Sequence, residues 1–208
     1  MEVELLHYSP IELAAKAARK CTATRFNNMD DEDKRVLSNV SFKGHTSVIE
    51  HIVYTFDIPV MSRAVLQEMA RHRIASPTVQ STRFTLGKML LRKNMSQQDF
   101  RDILHQTGDE EIDELIYCHL AKLKTLMEKR KETGHPIKND IAKYALPEAF
   151  LTTMQWTINA RSLSNFLNLR TVSGALQEIQ DLANAVIAVI PEDHQILYPQ
   201  IFGKVAHG

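Results

Sequence analysis

Three consecutive basic side chains, Arg71, His72 and Arg73, are the first residues whose types and spacing could do chemistry. Both arginines carry a fixed positive charge, and the histidine between them can titrate near neutral pH. Several hydroxyl side chains and a further base, Arg83, follow within a dozen residues. Arginine suits phosphate because its planar guanidinium can donate to two oxygens at once. The stretch 71–84 could therefore bind an anion, although a solvated helix end would explain the triplet by itself.

A second polar group lies in the block NARSLSNFLNLR, residues 159–170, where polar and basic side chains alternate with apolar ones that should face a core. A buried unpaired charge costs several kcal/mol. Because arginine does not readily lose its proton, each arginine there must find an anion or a carbonyl. If the bases of both groups converge, they form a positive cluster suited to phosphate or an electron-rich heterocycle. Its members would be Arg71, Arg73, Arg83, Lys143, Arg161 and Arg170.

Other kinds of catalytic site find little support in the sequence. His45, His51 and His72 are not spaced as metal ligands on one helix, so we expect no metal. No base is placed to activate Ser81, which favours a binding role over a nucleophilic one. Neither GxGxxG nor GxxxxGK[ST] occurs, which excludes a Rossmann or P-loop nucleotide site. Difficult chemistry in this chain would need an organic cofactor.

The composition limits the partners that this chain could have. Its 208 residues carry 25 Lys plus Arg and 25 Asp plus Glu, a formal net charge of zero with the histidines neutral. Proteins that coat nucleic acid or anionic membranes are usually basic as a whole, so we expect neither partner. The N-terminus lacks a secretory signal, and no run approaches the roughly 20 apolar residues that span a bilayer. Cys21 and Cys118 indicate neither a zinc site nor a disulfide, and we expect a cytoplasmic protein with partly buried, inert thiols.

Strand-like segments are few and lie far apart in the sequence. Residues 2–7, 51–58 and 150–158 have strand composition, and Pro59 should end the second. Most of the remaining chain has helical periodicity. Because strands distant in sequence must pair, we expect an α+β fold. It would be a single domain over residues 1–208, with a small, mostly antiparallel sheet surrounded by helices.

Several helix boundaries can be predicted from capping and proline signals. Ser9 and Glu12 suggest a capping box for a helix over 10–21, and a second helix should cover 34–40. A helix from Met61 should carry the chain into the basic triplet, with a loop at Ser76-Pro77. The remaining predicted helices cover residues 96–130, 137–144, 162–170 and 175–190.

Four sequence blocks resemble motifs of one enzyme family. Arg71-His72-Arg73, followed after seven residues by Ser81 and then by Arg83, resembles the R-H-R-x7-S signature of the flavin-dependent thymidylate synthases. GHTSVIEH at 44–51, ALPEA at 145–149 and NARSLSNFLNLR at 159–170 resemble three further family blocks, in family order and at compatible spacing. The chain is therefore identified as similar to this family, and the resemblance implies the family's fold.

The resemblance implies an activity and a set of ligands. Enzymes of this family use FAD, NADPH and methylenetetrahydrofolate to convert dUMP to dTMP, as homotetramers whose active sites are shared between subunits. The resemblance places Arg170, the catalytic residue, against the pyrimidine, where it would stabilise negative charge on the ring. It gives His45 a positioning role beside flavin and folate. The residues that match flavin-binding positions are Ser47, Arg71, His72, Arg73, Val79, Asn159, Ala160, Arg161 and Asn165.

The residues that match dUMP-binding positions are Glu68, Met69, Ala70, Arg71, Val79, Gln80, Ser81, Thr82, Arg83, Lys143 and Arg170. Two of them depart from the family pattern. Lys143 stands where many members have arginine, which keeps the charge but loses the two-pronged donor. Val79 stands where many have glutamate or glutamine, so that residue can contribute only backbone or packing contacts.

A function without catalysis is the alternative. The chain could be a helical module that binds nucleotide or RNA through the basic triplet and Arg83. Zero net charge and arginines set among leucines argue against RNA. The complete set of flavin-matching residues argues against a nucleotide-binding protein without flavin. One absorbance spectrum distinguishes such a protein from the flavin enzyme.

Overall fold

The computed structural model describes residues 1–203, which form two compact units. The first comprises Met1–Pro59, Ala70–Thr78 and the chain from Gln155 onward, and the second comprises Val60–Met69 and Val79–Met154. The expected single domain over 1–208 stays a prediction, and its last residues, 204–208, lie outside the described part.

An antiparallel sheet of four strands is the framework of the fold, in the strand order β1-β2-β4-β3. The strands are β1 Glu4–Tyr8, β2 Val53–Ser62, β3 Ala75–Val79 and β4 Leu151–Asn159. The remaining chain is mainly helical, which confirms the α+β class predicted from the sequence. All three strand-like segments found by composition are strands, whereas β3 was not expected.

Helices supply the rest of the regular structure. The α-helices are α1 Glu12–Cys21, α2 Asp31–Phe42, α3 Arg63–Met69, α4 Thr82–Leu90, α5 Gln97–Arg101, α6 Glu110–Glu132, α7 Asn139–Ala142, α8 Ala160–Arg170, α9 Gln177–Ala188 and α10 Pro199–Phe202. Shorter 3-10 helices cover Thr46–His51, Lys143–Ala145 and Glu192–Leu197.

The predicted capping box of α1 is wrong. Ile11 is the N-cap, and no side chain caps the helix. Ser9 instead extends the pairing of β1 with β2, because its backbone N–H donates to the Val53 carbonyl at 2.9 Å and its hydroxyl accepts from the Val53 N–H at 3.1 Å. A serine hydroxyl can accept a hydrogen bond from the N–H groups at a helix N-terminus or from a neighbouring strand, and the Ser9 hydroxyl accepts from the strand.

Two prolines stand inside strands, contrary to prediction. Pro59 does not end β2, which continues to Ser62. Pairing with β1 reaches only Asp57, so the missing N–H of Pro59 deprives β1 of no partner. The predicted loop at Ser76-Pro77 is likewise part of β3, an edge strand, where proline is tolerated.

The core of the first unit holds α8 against the sheet. Phe56 of β2 and Trp156 of β4 lie with ring centroids 6.0 Å apart, and Trp156 meets Phe166 of α8 edge-on at 5.0 Å. All three side chains are buried. Such aromatic pairs contribute about 0.5 to 1.5 kcal/mol beyond the area they bury. This packing fixes the rotation of α8, and with it the direction in which its polar face points.

The second unit contains a separate apolar core and corrects two predictions. Residues 96–130 were expected to form one helix but form α5 and α6, separated by a turn in which Gly108 has a φ of 87°. The spacing of Ile112, Leu115, Ile116, Leu123 and Leu126 predicts one apolar face for this helix, but only Leu123 of these is buried and Leu115 is 66% exposed. The buried members of this core are Leu86, Leu90, Phe100, Ile103, Leu104, Leu120, Leu123, Met127, Ala142 and Phe150.

Candidate active site

A pocket of about 510 Å³ in the first unit brings together all four basic residues predicted to bind flavin. It combines the segment after α3 with the first turns of α8 and the end of the 3-10 helix Thr46–His51. The lining residues are Glu50, Arg71, His72, Arg73, Ile74, Asn159, Arg161, Ser162 and Asn165. Volumes of 300 to about 1,000 Å³ are typical of ligand sites.

The junction of β4 and α8 positions one wall of this pocket. Asn159 is the last residue of β4 and also the N-cap of α8, where its side-chain oxygen accepts from the Ser162 N–H at 2.8 Å. The Ala160 N–H donates to the Ile52 carbonyl at 2.8 Å, which ties the helix start to the residue before β2. The partial positive charge of the helix N-terminus therefore faces the pocket and favours an anion there.

Charges in the pocket are unequal. Arg71, Arg73 and Arg161 face one carboxylate, that of Glu50, which forms an ion pair with Arg161. With His72 neutral, these groups leave a net of two positive charges. Both members of the ion pair are about half exposed, so the pair contributes no more than about 1 kcal/mol. A dianion could compete with Glu50 for Arg161.

Arg170, the predicted catalytic residue, is held by the signature histidine. Its guanidinium Nε donates to His72 Nε2 at 3.1 Å, although 98 residues separate the two in sequence. The His72 ring also packs edge-on against Phe166, with centroids 5.0 Å apart. Because Nε2 accepts this hydrogen bond, the proton of the neutral ring lies on Nδ1. The C-terminal end of α8 is thereby joined to the basic triplet.

The second unit carries the predicted phosphate-binding residues near the start of α4. Ser81 is the N-cap of α4, yet its exposed hydroxyl makes no capping hydrogen bond. Arg83 Nε donates to Asp140 at 2.6 Å, and this hydrogen bond raises the pKa of Arg83 and lowers the pKa of Asp140. The ammonium of Lys143 lowers the pKa of Asp140 further. Arg83, Asp140 and Lys143 therefore form one electrostatic group.

Other predicted substrate residues differ in how accessible they are. Met69 and Thr82 are buried, which leaves mainly backbone atoms for a ligand. Ala70 is exposed and Glu68 is half-buried, while Val79 is the half-buried last residue of β3. The Gln80 N–H is already used, because it donates to the Thr153 carbonyl at 3.1 Å.

Four predicted flavin or folate residues lie outside the pocket lining, one of them Val79 of β3. Ser47 and His45 are exposed, in and just before the 3-10 helix Thr46–His51, and Ala160 is the buried first residue of α8. The lining residue of that 3-10 helix is Glu50, which sequence reasoning missed together with Ile74 and Ser162. A carboxylate within a polar motif was a usable signal for Glu50.

Comparisons with known proteins identify the family to which the chain belongs. The family model described as "Thymidylate synthase complementing protein" matches residues 4–193. A flavin-dependent thymidylate synthase of Campylobacter jejuni is 39% identical over 211 aligned residues, which cover 98% of this chain and 99% of the relative. The chain belongs to the flavin-dependent thymidylate synthase family.

Further members of the family extend this likeness to solved structures. A flavin-dependent thymidylate synthase of Helicobacter pylori is 38% identical, covering 95% of this chain and 97% of the relative. The crystal structure of a Helicobacter pylori flavin-dependent thymidylate synthase complexed with FAD and dUMP matches with a TM-score of 0.85 and 36% identity. That match covers 96% of this chain and 99% of the solved one.

Within residues 1–203, every helix is too short or too polar to cross a bilayer.

Proposed function

We propose that this protein is an FAD-dependent thymidylate synthase, which reductively methylates dUMP to dTMP. The observation that carries the proposal is the pocket at the start of α8, where an excess of two positive charges meets a helix N-terminus. The two phosphates of FAD carry matching negative charge, and guanidinium groups bind such oxygens with charge-assisted hydrogen bonds. The Helicobacter pylori structure that matches this chain contains FAD and dUMP.

In this proposal, pocket residues hold the cofactor through charge and position. Arg71, Arg73 and Arg161 would bind its phosphates, while Asn159 and Asn165 would bind its polar ring edges. His72, Val79, Ala160 and Ser47 complete the proposed flavin set, Val79 and Ala160 through backbone or packing alone. The bound flavin would supply hydride transfer, which no side chain of the chain can supply.

The proposed dUMP residues include one that acts on the pyrimidine and several that bind phosphate. Arg170 would face the ring, where a fixed guanidinium stabilises negative charge that develops during methylene and hydride transfer. Ser81, Arg83 and Lys143 would bind the phosphate. The Ser81 hydroxyl can do so because it makes no capping hydrogen bond to α4. The remaining proposed contacts are Glu68, Met69, Ala70, Arg71, Val79, Gln80 and Thr82.

NADPH as reductant, methylenetetrahydrofolate as carbon donor and a homotetrameric state belong to the same proposal. His45 would position the flavin and folate. Exposed apolar side chains of α6 support the oligomer, because Ile112 is 45% and Leu115 66% exposed. Light scattering of the active protein should give the mass of four chains, and an active monomer would contradict the proposed assembly.

The function is tested by following the cofactor and the product separately. Titration with FAD should shift the flavin spectrum, and anaerobic mixing with NADPH, dUMP and methylenetetrahydrofolate should yield dTMP. Arg170→Ala should bind FAD and accept electrons from NADPH, but it should slow flavin reoxidation at least about a hundredfold. Arg170→Lys should recover little, since an ammonium lacks the planar donor pair.

Arg101→Ala, which removes an exposed arginine of α5, is the matched control and should behave as the wild type. Failure of the folded wild-type protein to change the flavin spectrum would overturn the proposal. If that protein still bound dUMP, the alternative function, a nucleotide-binding module without catalysis, would be supported instead.

A further inference from the structure

A second basic pocket lies at the C-terminal end of α1, in the first unit and separate in lining from the proposed flavin site. Its volume is about 420 Å³. The lining contains four basic side chains, one aromatic ring and no carboxylate. The residues are Lys16, Arg19, Lys20, Ala23, Thr24, Arg25 and Phe26.

The end of α1 folds the chain back over these bases. The Thr24 N–H donates to the Arg19 carbonyl at 3.0 Å and the Ala23 N–H donates to the Lys20 carbonyl at 3.3 Å, which is the hydrogen-bond pattern of a Schellman motif. Ala23 takes the left-handed position of this motif, with a φ of 53°. Arg25 and Phe26, which follow the turn, therefore lie beside Lys16 and Lys20, one helical turn apart on α1.

Only one of the four bases is neutralised by nearby acids. Arg19 donates to Glu32 at 3.0 Å and to Asp33 at 2.7 Å. The Lys16 ammonium lies 5.4 Å from the centroid of the Phe26 ring. Within residues 1–203, no ion pair or hydrogen bond engages the side chains of Lys16, Lys20 or Arg25.

Helix electrostatics explain little of this concentration of charge. A cation in the last turn of a helix is stabilised by the macrodipole, which accounts for Lys20. Lys16 lies before the last turn, and Arg25 lies beyond the helix. Three unneutralised cations around one concave site, with a ring on its wall, are the features of a site for an anion that also carries a planar group.

We propose that this pocket binds the phosphorylated adenosine end of NADPH, with Lys20 and Arg25 on the 2′-phosphate and the Phe26 ring beside the adenine. This assignment rests on the proposed function, which requires NADPH but leaves its binding residues unassigned. The place in the fold suits the role, because α1 packs against the 3-10 helix Thr46–His51, whose Glu50 lines the proposed flavin pocket.

Binding is tested first without the reaction. Adenosine 2′,5′-bisphosphate is titrated by calorimetry into the wild type and into Lys20→Ala/Arg25→Ala. Each lost charge-assisted hydrogen bond should weaken binding by roughly tenfold or more. The control Lys129→Ala/Lys131→Ala removes the same charge from exposed positions of α6 and should bind as the wild type does. Equal affinity in both double variants would overturn the proposal.

The 2′-phosphate is then tested by comparing NADPH with NADH, which lacks it, as reductants of the FAD-loaded protein. The wild type should have the lower KM for NADPH. In Lys20→Ala/Arg25→Ala the KM for NADPH should rise about tenfold or more toward that for NADH, with kcat and the NADH values unchanged. A variant whose KM rises for methylenetetrahydrofolate instead would assign the pocket to folate carboxylates and overturn the assignment to NADPH.

The two proposals fail in different ways. Wild-type protein that binds the bisphosphate but does not take up FAD would refute the proposed function and leave an anion site at α1. Wild-type protein that makes dTMP and uses NADPH and NADH with equal KM would refute the 2′-phosphate site and leave the function intact.

Discussion

The contact between His72 and Arg170 allows a test of how the guanidinium is aimed. The hydrogen bond from Arg170 Nε to His72 Nε2 fixes the orientation of the guanidinium plane, and with it the direction of the two terminal nitrogens. His72→Phe keeps a ring against Phe166 but removes the acceptor. His72→Gln places an amide oxygen near the former Nε2 position, so it restores the acceptor without the ring.

The size of the effect follows from the geometry. A hydrogen bond that involves a charged group contributes about 1.5 to 3 kcal/mol. The lower end applies here, because both side chains are half-buried and water can replace the lost acceptor. About 1.4 kcal/mol corresponds to tenfold in rate, so His72→Phe should slow the Arg170-dependent step by roughly tenfold.

Rapid-mixing absorbance separates this step from the others. Flavin reduction by NADPH should proceed at a rate that depends on the flavin bound and not on Arg170. Reoxidation by dUMP plus methylenetetrahydrofolate, with dUMP saturating, should be slow in His72→Phe and recover at least several-fold in His72→Gln. Flavin affinity and thermal unfolding of both variants are measured alongside, because the ring of His72 also packs in the first unit.

Two results would refute this reasoning. Reoxidation of His72→Phe at the wild-type rate would show that Arg170 does not depend on the histidine for its orientation. Equal slowing in both variants, with intact flavin binding, would show that the ring matters and the acceptor does not.

Three further predictions concern charge, backbone and pH. Asp140→Asn should tighten dUMP binding by up to about fivefold in calorimetry, because an exposed carboxylate that pairs with Arg83 competes with the phosphate. Ala23→Gly should raise the free energy of unfolding in urea by roughly 0.5 to 1 kcal/mol, since it relieves a left-handed residue. Burial lowers the pKa of His194, which is hydrogen-bonded to Tyr54 at 2.8 Å. Below the unfolded-state pKa of about 6.5, His194 is therefore protonated in the unfolded chain while it stays neutral in the folded chain. The free energy of unfolding should decrease as the pH is lowered, and this decrease should be smaller in His194→Phe.

Each of these three predictions has a control variant or an outcome that would contradict it. Weaker dUMP binding in Asp140→Asn would mean that Asp140 orients Arg83 instead of competing for it. Ala17→Gly, inside α1, should destabilise by about 1 kcal/mol, and equal effects at both alanines would remove the argument from the positive φ. A wild type and a His194→Phe variant with parallel pH profiles between 7.5 and 5 would show that another group causes the acid sensitivity.

Local signals in the sequence predicted three of the four strands and most helices, and they were wrong where the partner of a residue decided its role. Composition alone located β1, β2 and β4 to within a few residues. Pro59 and Pro77 look like strand breakers until the pairing and edge position of each strand are known. Ser9 looks like a helix cap until its hydrogen bonds to Val53 are seen.

In the candidate site, too, local signals indicated the residue types, whereas contacts between residues distant in sequence were missed. Arginines and asparagines set among apolar residues indicated an anion site, and the family blocks indicated which anion. The contact between His72 and Arg170 could not be predicted, because it depends on the rotation of α8, which aromatic packing around Phe166 decides. Glu50 was missed because its ion pair with Arg161 joins residues 111 positions apart in sequence, a contact that only the fold creates.

The absence of a spacer between β4 and α8 constrains how the length of this chain can vary. Asn159 closes the strand and caps the helix, so any inserted residue at this joint must be absorbed by the helix itself. One extra residue would turn α8 by about 100° and advance it by about 1.5 Å. Arg161 and Asn165 would then leave the pocket together. Insertions and deletions are therefore excluded from this joint, whereas the turn between α5 and α6 can accept them.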